Sequence, residues 1–175
     1  RGGLVNRKSF VQNFLSGKLS SNNPHTNAIK SVYKAILKCA ESKTGALIVI
    51  ADASSANLFG ESGILLNANL SSDLLESIFF KNAPLHDGAV IVNGNKILAA
   101  RSVLPVSNSQ DMPSSVGLRH RSALGVTEHS DVVALIVSEE NGSISYAKDG
   151  KLFHKVNSDE IAEVIKNAYG IKAKD

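Results

Sequence analysis

Two polar residues stand directly before what the sequence predicts to be a buried strand. His86 and Asp87 precede Gly88 and the apolar run of residues 89–92. An imidazole and a carboxylate are costly to bury without partners, so their position needs a reason. A positioned carboxylate can take a proton from a hydroxyl group, and carboxylates with an imidazole can hold Mg²⁺ or Mn²⁺. The other interpretation is a His-Asp pair that only stabilises a turn.

A second strand ends in carboxylates. Ser138, Glu139 and Glu140 follow the apolar residues 132–137. Because adjacent residues leaving a strand point to opposite sides, we expect only one of the two glutamates to face a site. The sequence "EENG" is also good turn chemistry, which is the structural alternative.

A third cluster is basic and lies at the predicted start of a helix. Arg119, His120, Arg121 and Ser122 are consecutive. Guanidinium groups bind phosphate oxygens in a bidentate manner, and a helix N-terminus adds free N–H groups. We expect Arg121 to contribute more than Arg119, since helix geometry points the two side chains apart. Together with an acidic metal site this cluster favours phosphoryl or nucleotidyl transfer, whereas alone it also suits a solvated face or non-specific nucleic-acid binding.

The elements that must position these residues can be predicted from hydrophobic periodicity. A helix begins at Thr26 and is stopped by Gly45, and a strand follows over residues 46–51. Residues 52–70 are predicted to be loop-rich with short extended pieces. A helix capped by Ser71 or Ser72 then ends near Asn82.

The second half of the chain predicts two hairpins and two more helices. Asn93-Gly94 and Asp149-Gly150 are the hairpin turns. Ser114 or Ser115 is a possible cap of the helix that carries the arginines, and Asn157 or Ser158 caps a final helix that stops at Gly170. The mixture of hairpins and helices predicts the α/β class: a single domain with a central, twisted, mixed β-sheet covered by helices. We expect an N-terminal segment over 1–25, the domain over 26–170 and a tail over 171–175.

Composition limits the class of protein. The 175 residues are 43% hydrophobic and 20% charged, with a net charge of +3, which is typical of a globular domain and suits an anionic ligand. The single cysteine, Cys39, excludes an internal disulfide, and no apolar run reaches the length of a membrane span. His25, His129 and His154 have no companions in sequence and are predicted to be surface or satisfied structural residues. Phe10, Val11, Phe14 and Leu15 predict a short helix or docking segment in the first 25 residues. Because the chain begins at Arg1, we expect that an upstream segment is missing.

The segments "HDGAVIV", "GLRHRSALGVTEHSD" and "IVSEENGSIS" together resemble the diadenylate cyclase (DAC, DisA_N-type) domain family. Its signatures are an Asp-Gly-Ala motif, here Asp87-Gly88-Ala89, and an Arg-His-Arg motif, here Arg119-His120-Arg121. The resemblance extends from the helix near Thr26 to the last hairpin. Within the family the chain is most similar to the catalytic domain of the membrane-anchored bacterial type, which implies a cytoplasmic domain attached to the membrane through an upstream segment.

The resemblance implies an activity, a cofactor and a partner. Two ATP molecules are condensed into cyclic di-AMP with release of two pyrophosphates, in a homodimer whose domains meet face to face. Asp87 would deprotonate or orient the attacking hydroxyl group, Gly88 would let the backbone approach the ligand, and Mg²⁺ or Mn²⁺ would assist. The implied metal ligands are His86, Asp87 and Glu140. The implied phosphate-binding residues are Arg119, His120, Arg121, Ser122 and Ser138.

Two positions depart from the family pattern. Val103 stands where a tyrosine is common near the adenine, and Leu118 where a threonine is common. Val103 and Leu104 can still form an apolar face for the base. Two rival functions stay open at this point. A module that senses ATP or cyclic di-AMP without turnover could dispense with Asp87. A nucleic-acid-binding protein would show a wider basic stripe with aromatic residues, and none flanks the two arginines, so we expect no nucleic-acid partner.

Overall fold

The described part of the chain contains five helices and seven strands. The structure is a computed structural model that describes residues 23–172, so the predicted segment at Phe10–Leu15 lies outside the described residues. In chain order the elements are α1 (Thr26–Ser42), β1 (Ala46–Ile50), α2 (Ala53–Gly60), β2 (Ile64–Asn69), α3 (Ser72–Phe79), β3 (Ala89–Asn93), β4 (Lys96–Ser102), α4 (Leu118–Glu128), β5 (Val133–Val137), β6 (Ile144–Lys148), β7 (Lys151–Val156) and α5 (Ser158–Ala168).

The strands form one mixed sheet in the order β2-β4-β3-β1-β5-β6-β7. The central strand β1 is parallel to β3 and antiparallel to β5. The amino ends of β1 and β3 and the carboxyl end of β5 therefore meet at one edge of the sheet. The predicted hairpins are confirmed as β3–β4 and β6–β7. The α/β class and the mixed sheet covered by helices are confirmed as well.

Helices cover both faces of the sheet and separate two apolar cores. Residues 46, 48 and 50 of β1 point to one face and residues 47 and 49 to the other, and all five are buried. The first core is closed by α1, α3 and α5. The second, smaller core is closed by α2 and α4. The helix that carries the basic cluster thus packs on the face opposite to α1. No helix within residues 23–172 has the length and apolar character needed to cross a membrane.

The prediction of a loop-rich segment over residues 52–70 is wrong in missing the helix α2, whereas β2 agrees with the short extended pieces predicted there. Asp52 caps α2, and its carboxylate accepts a hydrogen bond from the Ser55 N–H at 2.8 Å. The short helix shows little amphipathic periodicity because it buries only Ala56 and Gly60. β2 is an edge strand whose residues are exposed or half-buried, so its apolar residues do not alternate as in an inner strand.

Two helix ends differ from the sequence prediction. α1 ends at Ser42, and Lys43, not Gly45, adopts the left-handed conformation that closes it. The Lys43 N–H donates to the Ala40 carbonyl, so the helix terminates before Gly45 is reached. α3 ends at Phe79, earlier than the predicted end near Asn82.

The caps of the other helices resolve the open alternatives. Ser71 caps α3 and Asn157 caps α5, each by accepting a backbone N–H in the first turn. Neither Ser114 nor Ser115 caps α4. The N-cap position there is Gly117, which has no side chain to donate or accept a hydrogen bond. The first turn of α4 is consequently uncapped by any side chain.

Candidate active site

A cavity of about 570 Å³ opens at the sheet edge where β1 and β3 begin and β5 ends. The two parallel strands bring their amino ends there, and β5 arrives from the opposite direction. The start of α4 and the loop before it form the remaining wall. The cavity is lined by Leu47, Asp87, Gly88, Ser114, Ser115, Val116, Gly117, Leu118, Arg119, His120, Ser122, Val137, Ser138, Glu139 and Glu140.

His86 and Asp87 lie in the turn that enters β3. The His86 Nδ1 is 2.7 Å from the Ala83 carbonyl oxygen, and since a carbonyl only accepts, Nδ1 must carry the proton. In the neutral ring this leaves the Nε2 lone pair free, 3.7 Å from Asp87 Oδ1. The Asp87 side chain is 80% exposed and lines the cavity. Asp87 therefore presents a carboxylate to the cavity, whereas His86, a predicted metal ligand, adjoins Asp87 but does not itself line the cavity.

Gly88 and Ala89 follow Asp87 at the start of β3. Gly88 has a φ of +83°, and a Cβ there would lie 2.8 Å from the Ser102 carbonyl oxygen. The glycine is thus required by its own backbone and by the close approach of β4. Ala89 is fully buried and pairs with Ser102 across β3 and β4. Gly88 also lines the cavity, whereas Ala89 does not.

The two arginines of the basic cluster point to different places. Arg119 lines the cavity, and its Nη1 lies 3.5 Å from Glu139 Oε2. Arg121 is outside the cavity, and its Nη1 donates to the Ser109 carbonyl oxygen at 3.1 Å. The Arg121 backbone carbonyl also accepts the Ser107 N–H. The structure therefore places Arg119 where a phosphate could bind and Arg121 where it fastens the loop before α4, which reverses the expected ranking.

The first turn of α4 supplies backbone donors to the same wall. Gly117 leaves the amino-terminal N–H groups of α4 without a side-chain cap, and a helix start favours anions. Ser122, one turn further on, also lines the cavity. The residues at 114–117 complete this wall. Sequence reasoning missed them as site residues because their serines suggested only a helix cap.

His120 also lines the cavity, but it is largely buried. Its side chain is 6% exposed, and its Nε2 has no hydrogen-bond partner among residues 23–172. The His154 ring of β7 meets it edge to face at a centroid distance of 5.7 Å. Burial, followed by the nearby His154 and Arg119, lowers the pKa of His120 to about 4. His120 is therefore neutral at neutral pH, and His154, which has no companion nearby in sequence, is its neighbour in the fold.

Both glutamates after β5 line the cavity, so the expectation that only one faces it is wrong. β5 ends at Val137, and the residues that follow form a turn in which strand alternation no longer holds. Ser138 Oγ accepts the Glu140 N–H at 3.2 Å and shapes this turn. Glu139 pairs with Arg119, while Glu140 forms no ion pair within the described residues.

The structure places the three apolar residues discussed for nucleotide binding, Val103, Leu104 and Leu118, in different environments. Leu118 is 68% exposed at the cavity rim. Leu104 is buried in the core beneath α4, and Val103 is exposed outside the cavity, where Ser62 hydrogen-bonds its backbone. Leu47, Val116, Leu118 and Val137 are the apolar side chains of the cavity itself.

The mixed sheet, with a cavity in which carboxylates face an arginine and a helix start, defines an α/β domain suited to anionic ligands. The chain belongs to the DAC family, because the family model described as "DisA bacterial checkpoint controller nucleotide-binding" matches residues 33–152. A diadenylate cyclase of Listeria monocytogenes is 44% identical over 137 residues, which cover 78% of this chain and 50% of the relative. The cyclic di-AMP synthase CdaA of Bacillus subtilis is 40% identical over 147 residues, 84% of this chain and 54% of the relative.

Solved structures show the same fold. The crystal structure of a double mutant of DacA from Staphylococcus aureus matches with a TM-score of 0.78 and 42% identity, over 81% of this chain and 94% of that one. A structure described as a hypothetical membrane-spanning protein from Bacillus cereus matches with a TM-score of 0.71 and 38% identity, over 86% and 70%. The chain spans about half the length of the curated relatives described above.

Proposed function

We propose that this chain is a diadenylate cyclase, which condenses two ATP molecules into cyclic di-AMP and two pyrophosphates. The observation that carries the proposal is the exposed carboxylate of Asp87 in the same cavity as Arg119 and the uncapped start of α4. One wall can accept a proton and the other can hold phosphates. Family membership and relatives named as diadenylate cyclases support the same activity.

The reaction consists of the same step made twice. The 3′-oxygen of one ATP forms a bond to the α-phosphorus of the other, and the bond from that phosphorus to the bridging oxygen breaks. Pyrophosphate leaves with the electron pair, and the hydroxyl proton passes to Asp87 and then to solvent. Arg119, the N–H groups of α4 and the hydroxyls of Ser122 and Ser138 would stabilise the charge that develops on the phosphates.

The donor set of the cavity suits a divalent metal bound together with the substrate. Three carboxylates, those of Asp87, Glu139 and Glu140, share the cavity with one arginine, so a triphosphate would meet net negative charge. No three potential ligands among residues 23–172 cluster closely enough to hold an ion alone. Mg²⁺ commonly takes one or two carboxylates plus phosphate oxygens, which this cavity can offer. Of the predicted ligands His86, Asp87 and Glu140, we propose that the two carboxylates that line the cavity, Asp87 and Glu140, would hold the ion together with phosphate oxygens. The ion, Mg²⁺ or Mn²⁺, would neutralise phosphate charge.

Product analysis tests the proposed activity directly. The protein is incubated with ATP and either Mg²⁺ or Mn²⁺, and the products are separated by ion-exchange chromatography and identified by mass. We expect cyclic di-AMP and pyrophosphate in a ratio of one to two. A protein that binds ATP but yields no cyclic dinucleotide with either ion is instead the sensing module considered above.

Glu140→Gln is expected to weaken metal binding more than Glu139→Gln. Glu140 forms no ion pair in the described structure, whereas Glu139 already pairs with Arg119. Removing one carboxylate ligand removes a charged contact of the kind that contributes about 1.5–3 kcal/mol. The apparent dissociation constant of the metal ion should therefore rise roughly tenfold or more. Titration of Mn²⁺ at saturating ATP measures it for both variants. The reverse order would assign the metal to Glu139.

The reaction requires two copies of the cavity. Each cavity carries one Asp87 and has room for one ATP, yet the product needs two bonds made by equivalent attacks. We propose a homodimer in which two cavities face each other about a two-fold axis. Specific activity should then rise with enzyme concentration and level off once the dimer dominates. Activity is measured across a dilution series and compared with the dissociation constant of the dimer, which is determined by sedimentation equilibrium.

An inactive partner should poison such a dimer. Excess Asp87→Asn protein mixed with wild type is expected to lower the activity per wild-type chain, because a mixed dimer can form only one of the two bonds. The same excess of Asp73→Asn protein, changed at an exposed carboxylate in the first turn of α3 outside the cavity, is the control. Face-to-face assembly would be contradicted if specific activity stayed constant from below to above the dissociation constant of the dimer and the Asp87→Asn protein did not lower it.

We propose that the full-length protein holds this domain at the cytoplasmic face of a membrane. The similarity to a protein described as membrane-spanning supports the proposal. Attachment to a surface would raise the local concentration of the domain and favour pairing of two cavities. Fractionation of cells that express the full-length protein, with the domain alone as the control, tests it.

A further inference from the structure

Gly45 is a buried glycine whose backbone does not explain its identity. It directly precedes β1 and is not among the residues with left-handed backbone angles. A Cβ at this position would lie 2.5 Å from Arg119 Nη1, 2.7 Å from Arg119 Cζ and 3.1 Å from Arg119 Nη2. All three nearest atoms belong to one guanidinium group. The space that a side chain would fill at residue 45 is thus filled by Arg119.

Arg119 is held on two sides. Its side chain is 22% exposed, and its guanidinium lies against the Gly45 backbone on one side and 3.5 Å from Glu139 on the other. Its Nε is buried without a hydrogen-bond partner among residues 23–172. The guanidinium is therefore confined close to the start of β1, at the edge where the cavity opens. A planar fork of donors binds phosphate well only when its orientation is fixed.

We propose that Gly45 is a positioning residue, which seats the Arg119 guanidinium so that it faces the phosphates of the bound nucleotide. The inference rests on the proposed function for the identity of the ligand. The end of a long side chain moves more easily than packed backbone. A methyl group at residue 45 should therefore displace the guanidinium and leave the fold in place.

The test compares Gly45→Ala with Gly60→Ala. Gly60 is also buried and lacks a left-handed backbone, but a Cβ there would meet Leu98 Cδ2 at 3.3 Å, away from the cavity. The ligand is ATP with an α,β-methylene bridge, which cannot react, and calorimetry measures its affinity. We expect Gly45→Ala to lose affinity on the order of tenfold, the scale of a charged hydrogen bond. Gly60→Ala should bind as wild type does. Unchanged affinity of Gly45→Ala would overturn the proposal.

A double-mutant cycle separates positioning from a general structural effect. If Gly45 acts through Arg119, then Gly45→Ala should cause no further loss of affinity in an Arg119→Ala background. Losses that add in full would show that residue 45 acts by another route and would contradict the proposal. If Gly45→Ala alone fails to fold but folds once Arg119 is alanine, the clash is with Arg119, as proposed. If neither folds, the glycine is structural and the proposal fails.

A measurement without nucleotide distinguishes this inference from the proposed function. The Nε–H resonance of Arg119, assigned by its loss in Arg119→Ala, reports the guanidinium environment in nitrogen-15 NMR spectra. We expect it to shift in Gly45→Ala and to stay in place in Gly60→Ala. An unchanged resonance would overturn the positioning role even if ATP binds. Absence of nucleotide binding by wild type, with the resonance shifted, would instead count against the proposed function alone.

Discussion

Asp87→Asn is expected to lower the rate of cyclic di-AMP synthesis by about 10²–10⁴-fold, the usual contribution of a positioned acid or base. Asparagine keeps the size of the side chain and removes the charge that would accept the hydroxyl proton. The residue is 80% exposed, so the fold should not depend on its carboxylate. Single-turnover rates give the effect on the chemical step, provided that ATP is saturating and the protein concentration is above the dissociation constant of the dimer.

Binding measurements make this result specific to catalysis. Asp87→Asn should still bind α,β-methylene ATP, because the residues proposed to bind the phosphates lie on the other wall of the cavity. Asp73→Asn, which removes an exposed carboxylate from the first turn of α3, should retain the wild-type rate. A variant at residue 87 that keeps more than about a tenth of the wild-type rate would remove Asp87 from the role of base.

Arg119→Ala is expected to weaken nucleotide binding more than Arg121→Ala, although the two changes remove the same charge. Arg119 lines the cavity, whereas Arg121 is engaged with the Ser109 carbonyl oxygen outside it. Loss of a charged hydrogen bond of about 1.5–3 kcal/mol corresponds to a drop in affinity of roughly tenfold to a hundredfold. Calorimetry with α,β-methylene ATP measures both variants under the same conditions.

The Arg121 variant should show a different defect. Its guanidinium donates to the Ser109 carbonyl oxygen in the loop before α4, so loss of this hydrogen bond should lower the melting temperature while changing affinity less. The Arg121→Lys variant tests whether a charged donor is sufficient there or the guanidinium group itself is needed. Stronger loss of affinity in Arg121→Ala than in Arg119→Ala would restore the ranking that the sequence alone predicts.

The inner strands and hairpins could be predicted because local rules decide them. Residues 46–50 and 133–137 are continuous apolar runs that only a sheet covered on both faces explains, and Asn93-Gly94 requires a tight turn. α2 was missed, and β2 was predicted only as an unspecified extended piece, because little of either is buried and no hydrophobic period marks them. Their existence depends on β4, which pairs with β2 and packs against α2.

The site was harder to predict than the fold, because side-chain direction depends on packing between distant elements. Residues two apart on a helix point in nearly opposite directions, so only one arginine of the motif could face a cavity. Which one does so depends on how α4 packs against β1 and β5. The role of Gly45 was also hidden, since a glycine before a strand suggests a turn and reveals nothing about the arginine that rests on it.

The two outer strands of the sheet decide how copies of this domain can meet. On β2 the pairing shifts between Leu65 and Ala68, where Asn67 has a φ of +46°. On β7, Lys155 has a φ of +57° beside a similar irregularity. Such irregularities interrupt the straight row of free backbone groups that another strand would need, and the lysines of β7 add charge along that outer strand. Both outer strands are therefore poor templates for the addition of another strand, which agrees with the proposal that two copies meet through the end of the sheet that bears the cavity.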